Sequence, residues 1–245
     1  MSNFENTSFE ILLKISQELA ASLDLHTVLE RVLALSTANI GAERASLVVL
    51  DHAGSARDAA ILYNGMLVAS TVEQMQQVIA SGLAGWVMRS KQPALLADTQ
   101  KDERWLARPM SDQTVPASKS ALCVPVMARD ELVGVLTIVH SQANYFTQDH
   151  LALQQAIADM AGIAITNARL YEEIEHGRKR YYGLFEDSVD PILVTDQKGN
   201  ILEANRQAVV VSGYALDDLK HFTIRDLHAL PEEKTGAHYE LIPAD

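Results

Sequence analysis

The sequence predicts an α+β fold in which one antiparallel sheet is followed by a long helix and a second, smaller strand-and-helix segment. The clearest sign is a hairpin, because two apolar strands, Ser120–Met127 and Leu132–His140, are joined by a short polar turn. Helical patterns flank the strands at both ends of the first 170 residues. That order favours an antiparallel sheet with the terminal helices packed together on one face. A new strand–turn–strand–helix pattern begins after residue 186.

The first elements are predicted from apolar spacing and from turn residues. Apolar residues recur at helical spacing over Phe9–Ser22, and Asp24 is placed to cap a second helix that ends near Gly41. Two strands follow, over Arg44–Asp51 and Ala59–Tyr63, and an Asn-Gly pair behind the second strand indicates a tight turn.

The middle of the chain alternates short elements with polar loops. A helix is predicted over Thr71–Ala80, a second short helix opens with Gly82–Val87 and stops near Lys91, and a short strand follows over Ala94–Ala97. The polar loop that follows, Asp98–Trp105, brings several carboxylates close to an arginine. We interpret these groups as helix caps and a surface ion pair rather than as an acid–base pair.

A single long helix is predicted over residues 149–186. Its first half, Leu151–Ala168, is apolar in nearly every direction, which is typical of a helix buried on more than one side. From Arg169 onward, charged residues surround a narrow apolar stripe. The stripe advances in alternating steps of four and three through Ala156, Met160, Ile163, Asn167, Leu170, Ile174, Gly177, Tyr181 and Leu184.

Steps of four and three are the heptad spacing of a two-stranded coiled coil, in which an Asn at a core position fixes the register. At 1.5 Å per residue the helix spans on the order of 50 Å, longer than one domain of this size is wide. We therefore predict that it closes the first domain, pairs with its copy in a second subunit and enters another domain. The alternative is an ordinary amphipathic helix folded back on its own sheet, which Gly177 favours because it weakens the long helix.

The composition limits the possible partners and compartments. Of the 245 residues, 48% are apolar and 21% are charged, values typical of a soluble globular protein. The net charge of −12 argues against nucleic acid and anionic membrane as partners. A single cysteine, Cys123, excludes an internal disulfide. With neither a basic–apolar leader nor an apolar run approaching roughly 20 residues, we expect no membrane insertion and a cytoplasmic protein.

Three stretches carry a resemblance to a known family. They are LDLHTVLERVLALSTANIGAERASLVVLD, GLAGWVMRSKQPALLADTQKDERW and SALCVPVMARDELVGVLTIVHSQANYFTQDHLALQQAIADMAGIAITNARLY. Together they resemble a GAF domain, which we assign to residues 1–170 together with its N-terminal helix. GAF domains are small-molecule sensing and dimerisation modules, so the resemblance implies both roles for this chain.

The stretch DPILVTDQKGNILEANRQA resembles the front half of a PAS domain, again a sensing module. It predicts a strand over Pro191–Asp196, a return strand over Ile201–Ala204 and a helix capped by Asn205. We assign residues 187–245 to this partial PAS domain. Because a complete PAS domain has further strands, we expect the sequence to end inside it.

Motifs that carry catalysis are missing from the sequence, which has no GxSxG, no phosphate-binding glycine loop and no HExxH. We therefore expect no enzymatic activity from this chain. GAF domains that reduce methionine sulfoxide need several cysteines, and those that attach a bilin use a cysteine beside a histidine, whereas Cys123 precedes Val124. Cys123 is interpreted as a small buried hydrophobic residue. His140 and His150 are interpreted as ordinary strand-end and helix-start residues rather than lone haem ligands.

The resemblance also implies a pocket. In GAF domains, the segments equivalent to residues 71–89 and 98–112 cover the sheet face opposite the terminal helices. The candidate pocket residues are Trp86, Met88, Trp105, Leu122 and Val124. Because strand side chains alternate between faces, the sequence leaves open whether Leu122 and Val124 or their neighbours Ala121, Cys123 and Pro125 face the pocket. It also leaves open that the tryptophans fill a domain without a ligand.

These expectations define a regulatory sensor module. It binds a small ligand or partner and relays that event through a dimeric helix to a kinase- or cyclase-type output domain outside this chain. One alternative is a ligand-free dimerisation scaffold, and another is a sensor based on haem or another cofactor. The sequence identifies neither the ligand nor a cofactor.

Overall fold

The computed structural model of the protein describes residues 15–19, 21–68, 79–80, 82–106 and 118–228. The chain divides into two compact units, Met1–Glu172 and Glu173–Asp245. Most of the helices predicted over residues 9–22 and 71–80 lie outside the described residues, and residues 15–19 and 79–80 are helical. Among the described residues, no helix is both long enough and apolar enough to span a lipid bilayer.

The elements follow the predicted order. The first unit contains α1 (Leu25–Ala38), β1 (Arg44–Leu50), β2 (Ala56–Tyr63), β3 (Met66–Val68), α2 (Leu83–Ser90), β4 (Ala94–Leu96), a 3-10 turn (Thr99–Lys101), β5 (Ser120–Ala128), β6 (Glu131–His140) and the start of α3 (Gln148–Glu186). The second unit contains the last turns of α3 and then β7 (Leu193–Thr195), β8 (Ile201–Ala204), α4 (Arg206–Ser212), α5 (Leu216–Leu219) and α6 (Ile224–His228). Helix α3 is the long helix predicted from the sequence.

The first unit is built on one six-stranded antiparallel sheet in the order β3-β2-β1-β6-β5-β4. The predicted hairpin β5–β6 is confirmed. Strand β3 was not predicted, because three residues after a turn are too short a run to show the alternation of a strand. Strand β2 begins at Ala56 rather than Ala59, because its charged first positions, Arg57 and Asp58, hid the start of the strand.

Helices α1 and α3 pack together on one face of the sheet, as predicted. Every second residue of the central strands points into this core, and these residues include Ala45, Leu47, Val49, Leu122, Val124, Val126, Leu136 and Ile138. They meet an apolar face of α1 (Val28, Leu29, Val32 and Leu33) and of α3 (Ile157, Ala158, Ala161, Ile165 and Ala168). The alternation leaves the remaining strand residues on the opposite face of the sheet.

Local signals fix the ends of helix α1. The side chain of Asp24 accepts a hydrogen bond from the Thr27 backbone N–H at 2.8 Å, which confirms the predicted cap. The helix ends at Ala38, and the chain then turns through Gly41, whose φ of 62° suits glycine.

Helix α3 approaches β5 so closely that one position excludes a side chain. A Cβ atom at Gly162 would lie 1.9 Å from the carbonyl oxygen of Met127. Two polar side chains of the same helix donate hydrogen bonds to backbone carbonyls around it, Gln154 to Ser36 at 3.1 Å and Gln155 to Pro125 at 3.4 Å. These contacts set which side of α3 faces the sheet.

The second unit is organised around one buried asparagine. Strands β7 and β8 pair in a two-stranded sheet, and Asn205 caps α4 as predicted. The fully buried amide of Asn205 accepts hydrogen bonds from the backbone N–H groups of Ile192 and Ala208. It donates to the carbonyls of Phe185 and Asp190 at 3.0 and 2.9 Å. One side chain therefore holds the end of α3, the first strand and the first helix of this unit.

Replacing Gly162 tests the close approach of α3. Gly162→Ala should lower the free energy of unfolding of the first unit by about 1–3 kcal/mol, because the added methyl group forces the helix away from β5. Both tryptophans of the chain, Trp86 and Trp105, belong to the first unit, so their fluorescence during urea denaturation reports this change.

Gly177→Ala is the matched control on the same helix. Apart from the helix's own backbone, no atom lies within 4 Å of a Cβ at this position, which belongs to the second unit. Alanine there should favour the helix locally and leave the free energy of unfolding of the first unit undiminished. An unchanged unfolding midpoint for Gly162→Ala would contradict the close approach.

Candidate functional site

A second buried cluster lies on the sheet face opposite α1 and α3, which we call the α2 face because helix α2 covers it. Its buried residues are Leu83, Ala84, Val87, Ala94, Leu96, Ala121, Cys123 and Val135. The residues that β5 contributes are small, so the sheet surface is shallow beneath the covering helix. The α2 face is therefore the place where a GAF-like pocket is expected.

Three of the five predicted pocket residues lie at this face. Trp86, Met88 and Trp105 are half-buried and pack against the α2-face cluster. Leu122 and Val124 do not, because both are fully buried in the core between the sheet and helices α1 and α3. That part of the prediction is corrected: the neighbouring residues of β5, such as Cys123, face Trp86.

A row of small polar groups crosses the α2 face. Cys123, Thr137 and Ser46 are direct neighbours on β5, β6 and β1. The Cys123 sulfur lies 3.3 Å from the Thr137 hydroxyl oxygen. Ser46 lies between Ala45 and Leu47, which point into the other core, so its side chain points to the α2 face. Ser46 and Thr137 were not predicted as site residues; the available signal was a single polar residue in the interior of each apolar strand.

The Cys123 thiol is unreactive in this position because it is buried and un-ionised. Burial raises its pKa to about 12, and the bond to Thr137 and the charge of Arg104 offset that rise in part. The thiolate is the nucleophilic form of cysteine, and almost none is present at neutral pH. Cys123 is fully buried, as predicted, and its contact with the Thr137 hydroxyl was not predicted.

Arg104 lies above Trp86 at the edge of the α2 face. Its guanidinium carbon is 4.5 Å from the centroid of the indole ring, within the range of a cation–π contact. The same guanidinium donates two hydrogen bonds to the Asp102 carboxylate, at 2.9 and 2.7 Å. These bonds hold the pKa of Asp102 below its ordinary value. The ion pair positions a planar cation over an aromatic ring and leaves no net charge between the two side chains.

The rest of this loop is held by caps, as predicted. Asp98 accepts hydrogen bonds from the Ser118 hydroxyl and from the backbone N–H of Gln100, and the first of these is the main cause of its lowered pKa. The Lys101 ammonium lies 3.3 Å from the same carboxylate. Asp98 is therefore a structural anchor for the loop that carries Arg104 and Trp105.

His140 and His150 lie away from the α2 face. The His140 ring stacks on Tyr145 with centroids 3.5 Å apart, and both histidine rings make edge contacts with Phe146, a residue of the helix-side core. The backbone N–H groups of Gln142 and Thr147 donate to the Nδ1 atoms of His140 and His150. In the part of the chain that the structure describes, no group of three His, Cys, Asp or Glu side chains is arranged to hold a metal ion.

The predicted stripe of helix α3 is open to solvent over most of its length. The exposed fractions are 59% for Ile163, 52% for Leu170, 65% for Ile174, 45% for Tyr181 and 70% for Leu184. Asn167 is also exposed, whereas Met160 is half-buried and packs against the helix-side core. The stripe therefore lies on the side of α3 that the first unit does not bury.

Residues 22–166 match the GAF domain family. The chain belongs to the GAF domain family. Residues 179–241 match the PAS domain family, so the GAF domain is followed by a PAS domain, as the resemblance implied. Both domains are sensory modules, and they overlap the two compact units of the structure.

Curated relatives of this GAF-domain chain are regulators. It is 25% identical over 202 residues to the dual 3',5'-cyclic-AMP and -GMP phosphodiesterase 11A of Takifugu rubripes, covering 76% of the chain and 22% of that protein. It is 24% identical over 198 residues to the formate hydrogenlyase transcriptional activator FhlA of Escherichia coli (strain K12), covering 80% of the chain and 28% of that protein. The chain thus spans about a quarter of the length of these relatives.

Solved structures show the same fold. The GAF domain of a phosphoenolpyruvate-protein phosphotransferase from Coxiella burnetii has a TM-score of 0.54 at 23% identity, covering 70% of this chain and 99% of that one. The free methionine-R-sulfoxide reductase from Neisseria meningitidis has a TM-score of 0.53 at 14% identity, covering 70% and 95%. At these identities the likeness shows the GAF fold alone.

The reactivity of Cys123 provides a test of its burial. Because the raised pKa removes the thiolate, the native protein should react with a disulfide reagent at pH 8 about 1,000-fold more slowly than the urea-denatured protein. Absorbance of the released thiol measures both rates. A native rate within tenfold of the denatured rate would show that the α2 face opens to the reagent.

Proposed function

We propose that this chain is a regulatory sensor module that binds a small molecule at the α2 face of its GAF domain and relays that event through a paired α3 helix. The proposal rests chiefly on the stripe of α3, where five large side chains from Ile163 to Leu184 are each at least 45% exposed. Monomeric proteins rarely expose a continuous apolar surface without a partner. A second copy of the same helix is the partner that the stripe fits.

The stripe supports pairing between identical helices because its spacing is that of a heptad. Asn167 takes the kind of core position at which asparagine fixes register in two-stranded coiled coils. Burying Ile163 and Leu170 at such a seam is worth about 1.5–3 kcal/mol for each side chain. The acidic chain would otherwise repel its copy, so the apolar seam supplies the attraction.

The α2 face supports small-molecule binding because it combines apolar walls with a few polar groups. Trp86, Met88 and Trp105 supply aromatic and sulfur surface, and the Ser46 and Thr137 hydroxyls supply hydrogen-bonding groups. Ligand pockets of proteins have this composition. Neutral hydroxyls beside a neutralised Arg104–Asp102 pair suit an uncharged or weakly polar ligand better than a strong anion.

In this proposal, the output domain that responds to the sensor lies outside the 245 residues described by this sequence. Relatives of this chain include phosphodiesterases and transcriptional activators, so related sequences occur in proteins with different outputs. We propose no catalysis by this chain, since the Cys123 thiol is not ionised at neutral pH and the carboxylates of Asp98 and Asp102 are engaged in a cap and an ion pair. Ligand binding would act by shifting the population of two arrangements of the helix pair.

A variant without the polar row tests the ligand site. Mass spectrometry of compounds released from the purified protein identifies the ligand, and calorimetry then compares its Kd for the native protein and for Ser46→Ala with Thr137→Val. Each lost hydrogen bond costs about 0.5–1.5 kcal/mol, so the double variant should bind about 5- to 150-fold more weakly.

Thr37→Val is the matched control, because Thr37 bonds to carbonyls of its own helix α1 on the far side of the sheet. It should leave the Kd unchanged. The ligand-free scaffold would be supported instead if the purified protein releases no compound and if no member of a library of small metabolites raises its Tm.

Lysines in the stripe test the pairing of α3. Ile163→Lys with Leu170→Lys should convert a dimer into a monomer, because four apolar side chains leave the seam and four charges would have to be desolvated within it. Light scattering coupled to size-exclusion chromatography measures the mass, and circular dichroism checks that the domain remains folded.

The matched control places two lysines on the same helix but off the stripe, as Glu175→Lys with His176→Lys. This variant should remain a dimer. A monomeric mass for the unmodified chain, or a dimeric mass for the stripe variant, would show that α3 does not pair through these residues.

A further inference from the structure

Strands β1 and β2 are interrupted by a β-bulge. Val49 pairs with Asp58 and Leu50 pairs with Ala56, so Arg57 is the extra residue on β2. Bulges bend the sheet locally and turn side chains in directions that a regular strand does not allow. This bulge lies at the end of β1, where the strand runs into the turn at Asp51.

One turn of helix α3 contacts both sides of the bulge. The guanidinium of Arg169 donates a hydrogen bond to the backbone carbonyl of Leu50. Three residues further along the helix, the Glu172 carboxylate lies 3.5 Å from the guanidinium of Arg57. Both contacts belong to the last turn of α3 in the first unit, next to the exposed stripe residue Leu170. Arg169 is buried, with 9% of its surface exposed, whereas the Arg57–Glu172 pair is partly exposed.

The side chain of Leu50 points to the opposite side of the sheet from Arg169. It forms a buried cluster with Val48 and Ile61, and Met88 packs against this cluster. Met88 also packs against the cluster that contains Cys123 and the two tryptophans. Leu50 is thus a single residue with its side chain in the α2 face and its carbonyl oxygen bonded to helix α3.

We propose that Arg169 is a positioning residue that couples the α2 face to helix α3 through the bulge at Leu50. The coupling deepens the sensor function proposed above, since it names the contact by which a change at the ligand face reaches the helix. A hydrogen bond from a buried guanidinium is costly to break, because it would leave a desolvated charge with one partner fewer. A displacement of Leu50 therefore moves the last turn of α3 in the first unit with it.

Amide hydrogen exchange of the full chain tests this coupling without a ligand. Met88→Ala perturbs the α2 face, and exchange is measured at residues 170–176 of α3. With Arg169 present, the exchange rates there should change by about 2- to 30-fold, the range of couplings carried by side-chain networks. In Arg169→Met, the same Met88→Ala substitution should change them by less than about 1.5-fold. Arg178→Met, an exposed arginine of the same helix, is the matched control and should preserve the full response.

If Arg169→Met does not fold, Arg169→Gln replaces it, since the shorter amide keeps a polar group without a buried charge. No response of residues 170–176 to Met88→Ala in the native background would overturn the coupling, and so would an equal response with and without Arg169. Light scattering of the same samples reports pairing separately. A monomeric chain that still shows the Arg169-dependent response would refute the proposed helix pair and leave the coupling standing.

Discussion

The contact on which the structure depends is the close approach of helix α3 to strand β5. Because a Cβ atom at position 162 would collide with the carbonyl of Met127, the backbones of the helix and the sheet meet directly there. That approach fixes the rotation of α3 about its axis. Ile157, Ala161 and Ile165 are consequently turned into the helix-side core, and Ile163 is turned outward. The exposed stripe follows from this rotation. Because one side of α3 packs against the sheet, the stripe residues on the other side are left exposed.

The two faces of the sheet carry different side chains. The helix face receives large aliphatic side chains such as Leu122, which hold α1 and α3 in place. The α2 face receives small or polar residues at several alternate positions, including Ala121, Cys123 and Thr137, beside larger ones such as Val135. A ligand bound at the α2 face, as proposed, would therefore contact different side chains from those that hold α1 and α3. Leu50 belongs to both sides, through its side chain and its carbonyl oxygen.

Much of this fold could be predicted from the sequence because its signals are periodic. The hairpin β5–β6, the cap at Asp24 and the full extent of α3 each follow from spacing and capping rules. The face that Leu122 occupies could not be predicted, because β5 is apolar on both sides. Without alternation of apolar and polar residues, the sequence does not show which residues of a strand face which side. Strand β3 was missed because it is too short to alternate. The role of Arg169 was hidden for a different reason: it begins a charged segment of α3, and only the approach to the bulge at Leu50 distinguishes it from its solvent-exposed neighbours.

Disulfide trapping can detect whether the outer side of α3 pairs with its own copy, as proposed. Ile174→Cys places a thiol on the stripe, and Lys179→Cys places one on the opposite side of the same exposed segment. Paired helices bring stripe positions within the roughly 7 Å between Cα atoms that a disulfide can span. Native Cys123 stays out of the reaction because it is buried and its pKa is about 12. Under mild oxidation, we expect nearly all chains to cross-link rapidly at position 174 and few to cross-link at position 179. Equal, low yields at both positions would contradict this pairing.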